Sequence, residues 1–171
     1  MEPSPGNAAF ESGNGPTTYN LLFVCSGNTC RSPLARAITE QMIQGRGWSH
    51  VRVDSAGIAA IDGAPATHQA VTVAGEESLD LTTHQSKELT PELMEWADLI
   101  LVMTPAQMEA IIERGGEDKA ALVTDFMEGA GAGAAVLDPF GGDVEAYRQT
   151  YAQLRLAAEG LLARLEPILS P

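Results

Sequence analysis

Apolar positions along the chain follow two rhythms. Leu21-Leu22-Phe23-Val24 is an unbroken apolar run, the pattern of a strand buried on both faces. Asp98-Leu99-Ile100-Leu101-Val102-Met103 is the clearest second strand, while Val51-Arg52-Val53 and Ala121-Leu122-Val123 read as shorter ones. The segments between them have helical spacing. Leu34, Ala37, Ile38, Gln41 and Met42 share one face of a helix that Gly45 and Gly47 close, and residues 65–75 form another. Thr90 is placed to cap a helix carrying Leu93, Met94 and Trp96, and a further helix runs from Pro105 to Arg114. The last element is the longest. Val144, Tyr147, Tyr151, Leu154, Ala158, Leu161, Leu165 and Ile168 make a single apolar stripe.

Strands separated by helices predict an α/β fold, with right-handed βαβ units and a parallel sheet covered on both faces. One domain is expected over residues 20–171. Residues 1–19, rich in Pro, Gly, Ser and Asn and without periodicity, read as a flexible N-terminal extension. No internal repeat interrupts the domain. Its one low-complexity segment, Gly129 to Ala135, reads as a flexible loop upstream of Asp138.

Composition narrows the possible partners. Hydrophobic residues are 44% and charged residues 19% of the 171, an ordinary globular balance. No apolar run approaches the ~20 residues needed to cross a bilayer, and the first residues lack the pattern of a secretion signal, so a cytoplasmic protein is expected. Ten basic against 23 acidic residues give a formal net charge of −13, a field that repels nucleic acid and anionic membrane. The expected partner is another protein, met by a monomer. That field also repels phosphate groups at long range, so any phosphate site must be built from a local positive concavity. With only Cys25 and Cys30, the chain has no disulfide framework.

Such a concavity is written between the first strand and the first helix, in Cys25-Ser26-Gly27-Asn28-Thr29-Cys30-Arg31-Ser32-Pro33. Gly27 and Asn28 tolerate the backbone angles of a tight loop, Ser32 suits a helix cap, and Pro33 suits a first helical position. Loop amides converging at a helix N-terminus bind anions. Cys25 at the strand end faces that concavity, where a thiolate is stabilised. Arg31 closes the ring with a fork that matches two phosphate oxygens. The Ser32 hydroxyl is placed to donate to the sulfur. A cysteine nucleophile needs an acid for the leaving group, and Asp138 of Asp138-Pro139-Phe140-Gly141-Gly142 is a candidate. From its spacing alone, an ordinary Asp-Pro turn is the favoured reading of that residue.

Cys25 through Pro33, Asp54-Ser55-Ala56-Gly57, Ala97 through Met103 and the late Asp138-Pro139 together resemble the low-molecular-weight protein tyrosine phosphatase family, from Asn20 to the last helix. The resemblance implies a four-stranded parallel sheet flanked by helices, a phosphocysteine intermediate, and neither metal nor cofactor. It implies that Cys25 attacks phosphorus, that Arg31 stabilises the transition state, and that Asp138 protonates the leaving group and then activates water. It also implies that Asn28, Ser32, Ser55 and His84 brace the loop by hydrogen bonds. From the residues themselves, His84 reads equally as a surface histidine. Cys30 is either a partner for a reversible disulfide with Cys25 or a small packing residue.

Two positions depart from the tyrosine-specific pattern. Thr29 stands where a bulky aliphatic residue is usual, and Phe140-Gly141 replaces a pair of tyrosines. In both respects the chain looks more like the bacterial protein arginine phosphatases, which makes Thr29 and Phe140 the expected selectivity residues and protein phosphoarginine the expected substrate. A phosphotyrosine phosphatase is the alternative. The segment Ala59-Ala60-Ile61 lacks the aromatic that often stacks on substrate in this family. Thioredoxin-type arsenate reduction needs downstream cysteines, and none follows Cys30. A non-catalytic phosphate-binding module is the remaining reading.

Overall fold

The computed structural model describes residues 18–170. The expected extension over residues 1–19 lies outside the described residues, apart from Thr18 and Tyr19, and Tyr19 already opens the first strand. In chain order the elements are β1 (Tyr19–Cys25), α1 (Arg31–Arg46), β2 (Val51–Gly57), α2 (His68–Glu76), α3 (Pro91–Trp96), β3 (Leu99–Val102), α4 (Pro105–Glu113), β4 (Ala120–Leu122) and α5 (Val144–Leu169). The four strands are all parallel, in the order β2-β1-β3-β4.

The continuous apolar run of β1 has a simple cause. Leu21, Phe23 and Cys25 join the core under α1, α2 and α5, while Leu22 and Val24 join a second core with Ile100, Val102 and Ile111 on the other face. A central strand covered on both sides has no place for a polar side chain. Because the chain leaves β1 toward β2 on one side and reaches β3 on the other, the carboxyl end of β1 faces the point where the sheet order reverses. Open α/β sheets bind ligands in that crevice.

Local chemistry sets the element boundaries. Thr67, Thr90, Thr104 and Asp143 accept backbone N–H bonds as N-caps of α2, α3, α4 and α5. Gly47, at φ 70°, ends α1. β2 runs four residues beyond the expected Val51–Val53. Its polar half, Asp54-Ser55, belongs to an edge strand whose end pairs with residues 87–89, so it lacks the apolar signature. Gly57, at its end, is required by contact: a Cβ there would lie 2.7 Å from the Ser26 carbonyl oxygen.

Three expectations change. Ile168 is 68% exposed: in the last turn of α5 it is Leu165 and Leu169 that pack on the core, and Ile168 faces away from it. Val123 falls in a 3₁₀ turn after β4, not in the strand. The glycine-alanine segment is pinned where it nears the crevice: Thr124 Oγ1 donates to Ala134 O at 2.6 Å, Gln153 Nε2 to Ala135 O at 3.1 Å, and the buried Val136 N–H to Met103 O at 2.8 Å. No helix among the described residues is long and apolar enough to cross a membrane.

Candidate active site

Cys25 ends β1 with 2% of its surface exposed, and the chain then turns tightly back into α1. The turn pivots on Asn28, whose φ of 57° is one that asparagine tolerates better than most side chains. Asn28 is fully buried, and its polar groups are answered. Its Nδ2 donates to Ser32 Oγ at 2.8 Å and to Ser55 Oγ at 3.0 Å, Oδ1 accepts the Lys87 N–H at 2.9 Å, and its carbonyl accepts His84 Nε2–H at 2.8 Å. A buried network with this degree of satisfaction is rigid.

That network aims two donors at the sulfur. The Asn28 N–H reaches Cys25 Sγ at 3.3 Å. Ser32 Oγ lies 2.9 Å from the same sulfur; it accepts from Asn28 Nδ2, and its one proton goes to the sulfur in preference to Ala56 O, which is farther away at 3.5 Å. Ser32 therefore does not cap α1 as its sequence position suggests. The helix begins at Arg31 with Cys30 as N-cap and no side-chain cap bond, so the Ser32 hydroxyl is turned inward to the sulfur. Pro33 remains in the first turn, where its missing N–H costs nothing.

Arg31 supplies the positive wall. Its side chain is 5% exposed, Nη1 donates to Val136 O at 2.9 Å, and Nη2 lies 3.7 Å from Asp138 Oδ2. Its buried Nε has no partner among the described residues. Asp138, half-exposed, does two things at once. Its Oδ1 accepts the Phe140 N–H at 3.0 Å, the turn read from the sequence, while Oδ2 faces Arg31. Cys25, Gly27, Thr29, Cys30, Arg31, Asp138 and Phe140 together line a cavity of about 240 Å³. Ala59, Ala60 and Ile61 do not line it, and no three His, Cys, Asp or Glu side chains cluster as metal ligands among the described residues.

Three participants beyond the loop, Thr67, Tyr147 and Gln107, have only weak signals in the sequence. Cys30 is buried and free, with Tyr147 OH 3.3 Å from its sulfur and Thr67 Oγ1 donating to that phenol at 3.2 Å. Burial pushes the Cys30 thiol up and, with the bond to Cys30, pushes the Tyr147 phenol up to about 12, so both stay protonated near neutrality. Tyr147 reads in the sequence as one more member of the α5 stripe. Gln107, 5% exposed, donates from Nε2 to Ser26 Oγ at 3.2 Å and accepts the Met103 N–H at 2.8 Å. Its only sequence signal is the Thr104-x-x-Gln107 capping pattern, which does not reveal a reach to the loop.

His84 is buried, and burial holds it below its ordinary value of 6.5 despite the bond to Asn28 O. Because a carbonyl only accepts, Nε2 carries the proton of the neutral ring. As pH falls below about 6.5 the unfolded chain takes up a proton before the folded one does, so stability drops with acidification. Between about pH 7.5 and pH 5.5, wild-type Tm should fall further than that of His84→Gln, which keeps a donor and does not titrate. Equal slopes in paired thermal melts would remove His84 from the account.

Comparison with known proteins adds four findings. The family model described as low molecular weight phosphotyrosine protein phosphatase matches residues 20–168. A protein-arginine-phosphatase of Geobacillus stearothermophilus is 37% identical over 150 residues, covering 86% of this chain and 97% of its own. Among solved structures, the YwlE arginine phosphatase, as a cysteine-to-serine mutant with a phosphorylated active-site serine, superposes with a TM-score of 0.79 at 38% identity, covering 86% of this chain and 95% of that one. A low molecular weight protein tyrosine phosphatase from T. tengcongensis has the same TM-score of 0.79 at 32% identity, covering 86% of this chain and all of that one.

Proposed function

The chain belongs to the low molecular weight phosphotyrosine protein phosphatase family, and from that premise we propose that it is a cysteine-dependent protein phosphatase that hydrolyses phosphoarginine on proteins. The phosphoryl group sits in the loop, held by its amides and by the unpaired Nε and the cavity face of Arg31. Cys25 Sγ attacks phosphorus. The P–N bond breaks as Asp138 gives its proton to the departing guanidine nitrogen, leaving phospho-Cys25 and an unmodified arginine. Asp138, now a carboxylate, takes a proton from water. The water oxygen bonds to phosphorus, the S–P bond breaks, and orthophosphate leaves with the sulfur again anionic. The hydrogen bonds from Asn28 N–H and Ser32 Oγ–H complement that charge at both steps.

The observation that carries the choice of phosphoarginine is the state of Thr29. It lines the cavity, and its hydroxyl has only a long contact to Cys30 Sγ at 3.8 Å. That one contact is long and made to a thiol, which leaves the hydroxyl available to a substrate in the cavity. There it can meet the polar guanidinium or orient the attacking water, whereas an isoleucine would present an apolar branch suited to a tyrosine ring. Phe140, 69% exposed beside Asp138, offers one aromatic edge in place of a two-tyrosine wall.

Parallel kcat/KM measurements on a phosphoarginine peptide and a phosphotyrosine peptide test the reading. The wild type should prefer phosphoarginine, and Thr29→Ile should move the ratio toward phosphotyrosine by about 10-fold or more, the scale of a lost polar contact plus a gained apolar one. An unchanged ratio would remove Thr29 as the selectivity residue, and a wild-type preference for phosphotyrosine would select the alternative substrate.

A further inference from the structure

A path of hydrogen bonds joins the two ends of the loop between β1 and α1, and it passes through a side chain outside that loop. Arg31 Nη1 donates to Val136 O at 2.9 Å, and the Val136 N–H donates to Met103 O at 2.8 Å. The Met103 N–H donates to Gln107 Oε1 at 2.8 Å, and Gln107 Nε2 donates to Ser26 Oγ at 3.2 Å. Arg31, Val136, Met103 and Gln107 are all buried, and Ser26 alone is exposed. Bonds among buried groups are stronger than the same bonds in water, and breaking one leaves a costly orphan. The last residue of the loop is thus held in register with the first.

The two halves of the Gln107 amide have different uses. At the start of α4 an acceptor is enough: Oε1 takes the N–H of Met103, the residue before the Thr104 cap, as a glutamate would. The donor half has no use in the helix and goes to Ser26. That residue is also held from the opposite side of β1. Its carbonyl accepts the Ala59 N–H at 2.9 Å, and the Cys25 carbonyl accepts the Ile58 N–H at 2.9 Å, both from the segment that follows β2. In a trans peptide the N–H points opposite to the C=O. The two bonds therefore turn the N–H groups of Ser26 and Gly27 away from that segment, and Gly27 lines the cavity.

We propose that Gln107 is a positioning residue for phosphoryl binding, which fixes the first turn of the loop against Arg31 so that the loop amides and the guanidinium grip one phosphoryl group together. The proposal rests on the phosphatase reading of the site. Gln107 does not line the cavity, so it acts through Ser26. The amides and Arg31 hold the phosphoryl oxygens before, during and after the reaction. Loss of register therefore weakens every bound state alike, and it is read in phosphate affinity and KM more than in kcat.

Two substitutions cut the path at different points. Gln107→Leu removes both amide bonds, whereas Ser26→Ala removes only the second, at an exposed position, and leaves the Met103 N–H satisfied. Titration calorimetry with inorganic phosphate should show affinity about 5- to 10-fold weaker in each, the scale of one net hydrogen bond. KM for a small aryl phosphate should rise by a similar factor, with kcat lowered less than about threefold. The double variant should fall within about twofold of the weaker single one, because a path cut at either point is already cut. A role confined to the start of α4 predicts another pattern: Gln107→Leu lowers Tm, phosphate affinity stays at the wild-type value, and Ser26→Ala is silent in both. That pattern, losses that multiply in the double variant, or a loss confined to kcat would overturn the proposal. Aryl phosphate turnover by the wild type separates the two levels. If it proceeds and both variants bind phosphate as the wild type does, only the Gln107 proposal fails. If the wild type binds phosphate and turns over nothing, the phosphatase reading fails, and the affinities still decide whether Gln107 positions the loop.

Discussion

Cys25→Ser will reduce turnover of any phosphorylated substrate by about 10⁴-fold or more, the scale seen when a covalent nucleophile is removed. The loss should fall on kcat and leave inorganic phosphate binding close to wild type. In the proposed mechanism phosphate is held by the loop amides and by Arg31, and neither depends on the sulfur. Folding should be little affected. A serine hydroxyl can accept from Asn28 N–H and from Ser32 Oγ, the two groups now 3.3 and 2.9 Å from the sulfur. The site is 2% exposed and loses only the small volume difference between sulfur and oxygen. Because the hydroxyl is a poor nucleophile but correctly placed, slow stoichiometric phosphorylation of the introduced serine is expected, visible by mass spectrometry. The related YwlE mutant carries such a phosphoserine. Full activity in the variant would end the mechanism, whereas a wild type that binds phosphate without turning over any phosphate ester would favour a phosphate-binding module.

The parts of this site legible in the sequence are those where one local requirement forces one residue type. A strand buried on both faces must be apolar, so Leu21 to Val24 announces itself, and the loop after it needs a residue tolerant of positive φ, which Asn28 supplies. The parts that the residues alone leave ambiguous or hidden satisfy two requirements at once, and the local one masks the distant one. Asp138 makes an Asx turn with Phe140 and also faces Arg31. Gln107 completes a helix start and also holds Ser26. Tyr147 fills the core with its ring and also reaches Cys30 with its hydroxyl. Ser32 errs the other way: its sequence position suggests a cap, and the structure spends its hydroxyl on the sulfur. Ser55 was found through family resemblance, since an edge strand with mixed polar residues has no periodic signal of its own.

The double duty of Asp138 makes its replacement the sharper mechanistic experiment. Asp138→Asn keeps an oxygen for the Phe140 N–H and a side chain of nearly the same shape, so the turn and the fold should persist. What it loses is the capacity to give and take a proton, and removing such a group typically costs 10²–10⁴-fold. On a phosphoarginine peptide the loss of kcat should be about 10³-fold, because the guanidine nitrogen leaves poorly unless it is protonated as the P–N bond breaks. On an aryl phosphate whose phenolate leaves without help, the first step is spared. The residual loss then reflects only water activation in the second step and should be about 10-fold smaller. The substitution also removes the carboxylate 3.7 Å from Arg31 Nη2, freeing that guanidinium for phosphate. Inhibition by inorganic phosphate should therefore strengthen even as turnover collapses, a pairing that a merely misfolded loop cannot produce. Equal losses on the two substrates, or weaker phosphate inhibition, would mean that Asp138 shapes the turn and leaves the proton to another group.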